Sequence, residues 1–264
     1  MPALICCDAH NHLHDGRLRP WLGELLRTLP GQGIRHAVVN GTRPGDWPSV
    51  VQLCTANPWL TPSCGLHPWY VNDAPARWQE SLGTLLQQHP QMHIGEIGLD
   101  TWIAGHDPLL QREAFSAQWH LAVQHDRAIS VHCVRAFEPL RQALRKLPHN
   151  RRGFLLHAYS GPADLVPFLV EKGARFSFSP YFLQPRKARE RSVFANHIPE
   201  DRLLIETDAP DLAPPPESGP WLLAEKLHDP RSLPMTCAAL AALRGLTPAA
   251  TAALTTRNWL DLFG

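Results

Sequence analysis

The sequence predicts an α/β protein, a (β/α)8 TIM barrel forming a single domain over residues 1–264, and three observations carry that expectation. Eight short runs are apolar on both faces, as strands covered on both sides must be. Their ends, at positions 8, 40, 65, 97, 132, 157, 179 and 207, lie 22 to 35 residues apart, the room that a strand, a loop and a covering helix need. No second compositional zone, internal repeat or low-complexity tract divides the chain.

The strands are expected at Ala3–Asp8, His36–Asn40, Thr61–Gly65, His93–Ile97, Ala128–His132, Gly153–His157, Ala174–Ser179 and Leu203–Thr207. Helices fill most gaps. Ala76–His89 is amphipathic. Pro108–His125 opens on Asp107 as its N-cap with Pro108 in the first turn, and it sets Phe115, Trp119 and Ala122 on one face. Phe137, Leu140, Leu144 and Leu147 make a second stripe, and Pro162–Lys172 starts after Gly161. Gln184–His197 is less regular. The proline-rich stretch Pro210–Pro234 reads as an excursion before two extra C-terminal helices, Leu233–Arg244 and Pro248–Leu262, the second capped by Thr247.

Hydrophobic residues are 44% of the total, ample for a core. No stretch of 18 apolar residues exists, and no basic segment precedes an apolar one at the start, so neither a membrane span nor a secretory signal is expected. Net charge is +1, which excludes a global field for nucleic acid or membrane and leaves any nucleic-acid site to local basic loops and metal. Six cysteines, at 6, 7, 54, 64, 133 and 237, contain no C-x-x-C pair. That argues for reduced thiols and a cytoplasmic protein. No obligate protein partner is implied.

Polar residues gather where a barrel places its chemistry, at the carboxyl ends of the strands. The first run leads into Asp8, His10, His12 and His14, and His10 and His12 share parity. The third runs into Gly65-Leu66-His67-Pro68, and the fourth contains Glu96 and leads to Asp100. The fifth ends at His132, the sixth at His157 and the eighth at Glu206-Thr207-Asp208. A single histidine ending a strand is usually an ordinary core or rim residue. Six of eight strands offering a histidine or carboxylate at or just past their ends is hard to attribute to chance. Four imidazoles and two carboxylates can meet at one centre, a donor set suited to zinc, manganese or a similar ion, with magnesium at a carboxylate-rich position. The four lysines, Lys146, Lys172, Lys187 and Lys226, all lie outside strand-like runs, so a carbamylated lysine cannot bridge two metals. Glu96 is the natural bridge, with one oxygen for each ion; the plain alternative is a buried carboxylate paired with an arginine.

In order along the chain, Asp8-Ala9-His10-Asn11-His12-Leu13, Gly65-Leu66-His67-Pro68, Gly95-Glu96-Ile97-Gly98-Leu99-Asp100, Val131-His132-Cys133, His157-Ala158-Tyr159-Ser160-Gly161 and Glu206-Thr207-Asp208-Ala209-Pro210 make up a specific pattern. With the tail from Thr255 to Gly264, the chain resembles the TatD family of metal-dependent deoxyribonucleases, amidohydrolase-like barrels, over essentially its whole length. The resemblance implies that His10, His12, Glu96 and Asp208 hold one divalent ion, that Glu96, His132 and His157 hold a second, and that His67 faces the substrate phosphate. It implies one or two ions of magnesium, manganese or zinc, and hydrolysis of DNA phosphodiesters by a metal-activated water, often as 3′ trimming of single strands. Asp208 would also accept the nucleophile's proton.

The substrate rim departs from the family. The usual H-P-H is His67-Pro68-Trp69, the basic residue after H-C falls one place later at Arg135, G-L-D is followed by Thr101 and Trp102, and the late N-E-P is Ser232-Leu233-Pro234. Arg135, Tyr159 and His67 are the candidate substrate contacts, and Arg186, Lys187, Arg189 and Arg191 offer charge to a phosphate backbone unless they are plain solvated surface. Trp69, Tyr70, Trp102, Tyr159, Tyr181 and Phe182 follow strand ends, where some can stack on unpaired bases and others are rim packing. The expected activity is therefore that of a metal-dependent deoxyribonuclease acting on single-stranded DNA. The alternatives are a hydrolase of another ester or amide, such as a lactone or aminoacyl ester, and a non-catalytic metal-binding barrel.

Overall fold

The structure, a computed structural model, describes residues 4–105 and 107–264. Eight parallel strands follow one another in sequence order: β1 Cys6–Asn11, β2 Ile34–Gly41, β3 Leu60–Cys64, β4 His93–Asp100, β5 Ile129–Val134, β6 Phe154–Leu156, β7 Ala174–Phe178 and β8 Leu203–Ile205. Beyond the end of β8 the chain returns to β1. Asp208 N–H donates to His10 O at 2.9 Å, and His12 N–H donates to Ala209 O at 2.8 Å. The eight expected strands all overlap observed ones, but the ends move. Ala3, the expected start of the first, lies outside the described residues. β1 continues past Asp8 to Asn11 and β4 past Ile97 to Asp100, so more of the motif residues ride on rigid strand. β6 and β8 contract to three residues each.

Among the described residues nine helices surround the strands: α1 Leu22–Thr28, α2 Trp47–Ala56, α3 Trp78–Gln88, α4 Pro108–His125, α5 Phe137–Lys146, α6 Val166–Glu171, α7 Ala188–Asn196, α8 Leu233–Arg244 and α9 Pro248–Phe263. Asp107 caps α4 by accepting from Leu109 N–H at 2.7 Å, and Thr247 caps α9 by accepting from Ala250 N–H at 3.1 Å. The stretch expected as Pro162–Lys172 begins instead as a 3-10 turn over Ala163–Leu165 before α6. Among the described residues no single helix is long and apolar enough to cross a membrane.

Two apolar bodies hold the barrel. The larger lies between strands and helices, where Ile94 and Ile129 meet side chains such as Phe115, Trp119, Leu82 and Leu140, all nearly excluded from water. Each such side chain contributes about 1.5–3 kcal/mol by leaving water. The smaller fills the barrel itself: Cys7, Ala9, Val38, Leu155 and Leu204 pack against Trp259, Leu262 and Phe263 of α9. α9 thus plugs the amino end. It is pinned there by Asn258, which donates to Glu200 O and Leu203 O, and by His93 Nε2, 3.1 Å from Phe263 O. The opposite end of the barrel is left to the polar residues.

Candidate metal centre

Glu96 stands at the middle of that end, and glycines let it reach there. A Cβ on Gly98 would lie 1.9 Å from His132 O, and Gly98 has φ +157°, so only a residue without a side chain lets β4 press this closely against β5. The two oxygens of Glu96 face different partners. Oε2 lies 3.5 Å from His10 Nε2 and 3.4 Å from His12 Nε2. Oε1 lies 3.1 Å from His132 Nδ1, 2.8 Å from His157 Nε2 and 3.4 Å from His67 Nε2. Asp208 completes the first side, its Oδ1 being 3.5 Å from His10 Nε2 and 3.4 Å from His12 Nε2. Among the described residues three groups of donor atoms are close enough to hold an ion: His10, His12 and Asp208; His10, Glu96 and His157; His67, Glu96 and His132. All six residues expected as ligands meet in one pocket, and Glu96, rather than a lysine or an arginine pair, lies between its halves.

Hydrogen bonds behind the rings fix which nitrogen faces inward. His12 Nδ1 lies 2.7 Å from Asn40 O, a carbonyl that can only accept, so Nδ1 carries the proton and Nε2 keeps its lone pair for the pocket. His132 is turned the other way: Nε2 donates to Asp100 Oδ2 at 2.9 Å, leaving Nδ1 inward. His10 Nδ1 meets Ser130 Oγ at 2.8 Å. His157 Nδ1 faces Glu206 Oε1 at 3.7 Å, and Glu206 is itself bonded by the Ser177 hydroxyl. His67 differs. Its Nδ1 accepts from Trp69 N–H at 3.1 Å, so the proton sits on Nε2, which enters the pocket as a donor and not as a lone pair.

The pocket is built for positive charge. Burial works against the Glu96 carboxylate, yet surrounding imidazoles, His67 and His157 foremost, hold its pKa well below the ordinary value. Burial would likewise lower His12 and His157, but Asp208 and Glu96 raise the first and Glu96 and Glu206 the second well above the usual imidazole value. His10 and His67 are pushed down to about 4, first of all by burial. Buried His10 Nε2 and Asp208 Oδ1 have no hydrogen-bond partner although both point at the same space. Two orphaned atoms of this kind are costly in a protein interior and are what a divalent ion satisfies. The residues present therefore fit a metal.

Of the expected substrate contacts, His67 reaches the pocket and Arg135 lies exposed on its rim, with its guanidinium 5.4 Å from the Trp102 ring. Tyr159 is a correction. It is buried, its hydroxyl donates to Pro162 O at 2.8 Å, and its ring packs on Phe137 and Phe176, so it is a core residue with no face left for substrate. Phe182 is buried too, whereas Trp69 and Trp102 are exposed. The basic loop divides. Lys187 Nζ pairs with Glu190 Oε1 at 2.7 Å, and Arg191 Nη1 donates to Phe182 O and Gln184 O. Arg186 is exposed and donates to the Tyr181 hydroxyl, and Arg189 reaches Ser160 O at 3.4 Å. Asp100, Ser130 and the Asn40 carbonyl, which orient the ligands, had no assigned role in the sequence. Asp100 carried a usable signal, since it shares strand parity with Glu96.

The family model for TatD-related DNases matches residues 7–264. The 3′-5′ ssDNA/RNA exonuclease TatD of Escherichia fergusonii is 30% identical over 241 residues, 88% of each chain. Among solved structures, a TatD homolog of Escherichia coli K12 superimposes with a TM-score of 0.88 at 24% identity over 97% of each chain. A TatD-family hydrolase of Entamoeba histolytica does so with a TM-score of 0.87 at 16% identity over 99% of each chain.

Proposed function

Because the chain belongs to the family of TatD-related DNases, we propose that it trims single-stranded nucleic acid from the 3′ end by hydrolysing phosphodiester bonds. It is a metal-dependent hydrolase with nuclease chemistry. One observation carries the finer reading: the two oxygens of Glu96 face two separate sets of imidazoles, as a carboxylate bridging two ions must. His10, His12, Glu96 and Asp208 would hold one divalent ion, and Glu96, His132 and His157 the other, from magnesium, manganese or zinc. Ions held there would generate a nucleophile at neutral pH and offset charge on the phosphoryl oxygens.

The chain's own groups do the rest. Asp208, its carboxyl kept ionised against burial by His12, accepts the proton that the nucleophile gives up. His67 donates through Nε2–H to a phosphate oxygen, its tautomer set by Trp69 N–H. Arg135 and Arg186, both exposed on the rim, offer charge to the following phosphates. Single-stranded DNA is the first substrate, in keeping with the named activity of the Escherichia fergusonii relative, which also includes RNA. A cytoplasmic location belongs to the same proposal and is supported by six cysteines that are all unpaired and buried.

The test is an assay of metal-reconstituted protein on single-stranded DNA labelled at either end, with Asp208→Ala as control. A ladder shortening from the 3′ end is expected. Cleavage of carboxyl esters without cleavage of DNA would move the protein to the ester and amide hydrolases that share this barrel.

A further inference from the structure

Trp69 stands where the family pattern has a histidine, and its surroundings leave it only one thing to offer. Its single side-chain hydrogen-bond donor, Nε1–H, is directed at Asp100 Oδ2 at 2.8 Å. That carboxylate is buried and anchored: it accepts from His132 Nε2 on the same oxygen and from Trp102 N–H on the other at 2.7 Å, and Gln111 bonds both the N–H and the O of its backbone. The indole is therefore fixed and has no polar group left for a substrate. It stands at the edge of the pocket, its ring centroid 5.0 Å from that of His67 and 6.1 Å from that of His132. Yet 43% of it stays in water, although a residue so apolar usually hides most of its surface. What a pinned, half-exposed indole beside a phosphate-cleaving centre can supply is an aromatic face.

We infer that Trp69 is a substrate-binding residue that stacks on an unpaired nucleobase adjoining the phosphodiester held at Glu96. The inference rests on the proposed nucleic-acid substrate and adds the contact that keeps the last bases in place. Preorganisation is its physical content: the Asp100 bond orders the ring before the strand arrives, so little rotamer freedom is lost on binding. Stacking is tolerant of sequence, because every base has a π face, and it requires that the base be unpaired. Trp102, 64% exposed on the next strand end with Arg135 against its ring, would form the outer wall of the same track.

A binding cycle tests this without turnover. Holoenzyme with manganese is titrated with a 5′-fluorescent single strand whose 3′-terminal linkage is non-hydrolysable, and anisotropy gives Kd. The strand is used intact and with an abasic residue at either nucleotide flanking that linkage. Trp69→Ala is expected to weaken the intact strand about tenfold, the scale of one base–aromatic stack. One abasic position should weaken wild type by a similar factor and Trp69→Ala no further. Trp69→Phe, which keeps a ring and loses the N–H, should retain most of the binding. Additive losses in the cycle, or Trp69→Phe falling as far as Trp69→Ala, would overturn the stacking role while leaving the nuclease reading intact. Failure of wild type to bind any strand would overturn both.

Discussion

Asp100 Oδ2 accepts from His132 Nε2 at 2.9 Å, and the same ring then presents Nδ1 to Glu96 Oε1 at 3.1 Å. Burial disfavours the Asp100 charge, but donors from His132, Trp69 and Trp102 hold the carboxyl well below the usual range. A carboxylate behind an imidazole fixes its tautomer and raises its strength as a ligand. Asp100→Ala is therefore expected to weaken manganese binding at the Glu96–His132–His157 position about 10–100-fold, and to leave the His10–His12–Asp208 position unchanged. Titration calorimetry resolves the two. Equal weakening of both would show that Asp100 acts on the fold and not on His132.

Glu96 and Asp208 separate by what they lose. Glu96→Gln removes the charge between the two halves of the pocket while keeping the shape, so both metal affinity and turnover should collapse. Asp208→Asn keeps an oxygen for the ion and cannot take a proton. It should lower kcat about 10²–10⁴-fold, the usual weight of general-base catalysis, with a smaller change in affinity. Circular dichroism checks that both variants stay folded. An Asp208→Asn protein with undiminished kcat would remove Asp208 as the base.

The orphaned atoms of the pocket make metal a stabiliser as well as a cofactor. An ion that binds only the folded state at about 100 times its Kd adds about 2.7 kcal/mol, worth roughly 5–10 °C in Tm for a chain of this size. Manganese or zinc should raise the Tm of the chelated protein by that order and restore its activity. Glu96→Gln should show little of the shift. Activity that persists in chelator would exclude the metal from the reaction.

How much of this could be read in the residues follows from where each signal lives. The eight strands were legible because a parallel strand buried on both faces is an unbroken apolar run, and their carboxyl ends were legible because histidines there are rare. α1 left no comparable trace, with seven residues including Gly23, whereas α2 does set Trp47, Val50 and Cys54 on one face, a stripe that the expected elements did not include. The ligands themselves were visible as residue types, but the tautomers that aim them were not. Those depend on Asn40 O and Asp100 Oδ2, brought from adjacent strands, and on Ser130 Oγ, brought to His10 from β5 across the barrel. Tyr159 misled for the same reason: adjacency to His157 in the chain says nothing of which way the next ring turns.

Far from the pocket, His93 should govern part of the acid sensitivity. It is buried at the amino end of β4, its Nδ1 accepts from Ala128 N–H at 3.2 Å, and its Nε2 meets Phe263 O at 3.1 Å, so the fold holds it neutral. Burial first, with nearby Arg127 and Arg152, pushes its pKa down to about 4 against the Phe263 carbonyl, which alone raises it. Below the ordinary value of 6.5 the unfolded chain binds a proton that the folded chain refuses. Stability present above pH 6.5 is thus lost as pH falls toward 4, by up to about 3 kcal/mol from this group. Urea midpoints of chelated protein across that window should fall less steeply for His93→Gln than for wild type. Parallel curves would show that His93 does not titrate there.

The basic segment that runs into α7 offers a contrast between two arginines five positions apart, Arg186 in the turn before the helix and Arg191 within it. Arg191 is tied inward, its Nη1 donating to Phe182 O at 2.6 Å and Gln184 O at 2.8 Å. Removing it strips Phe182 O of its donor and leaves Gln184 O with Lys187 N–H alone, so Arg191→Ala should cost about 1–3 kcal/mol of stability and leave KM for DNA nearly unchanged. Arg186 is exposed and rests on the Tyr181 ring, its Cζ 5.5 Å from the centroid. Its charge is free to meet a phosphate once a strand crosses the rim. Arg186→Ala should therefore leave Tm within error, raise KM for single-stranded DNA, and flatten the dependence of log KM on log salt by about 0.7, the value for one phosphate contact on a single strand. Lys187 is a built-in control: already paired with Glu190, it should change the salt slope less than Arg186 when replaced by alanine. If Arg191→Ala shifts the salt slope and Arg186→Ala does not, the strand runs across the inner side of the loop, and Arg191 must leave its carbonyls to meet it.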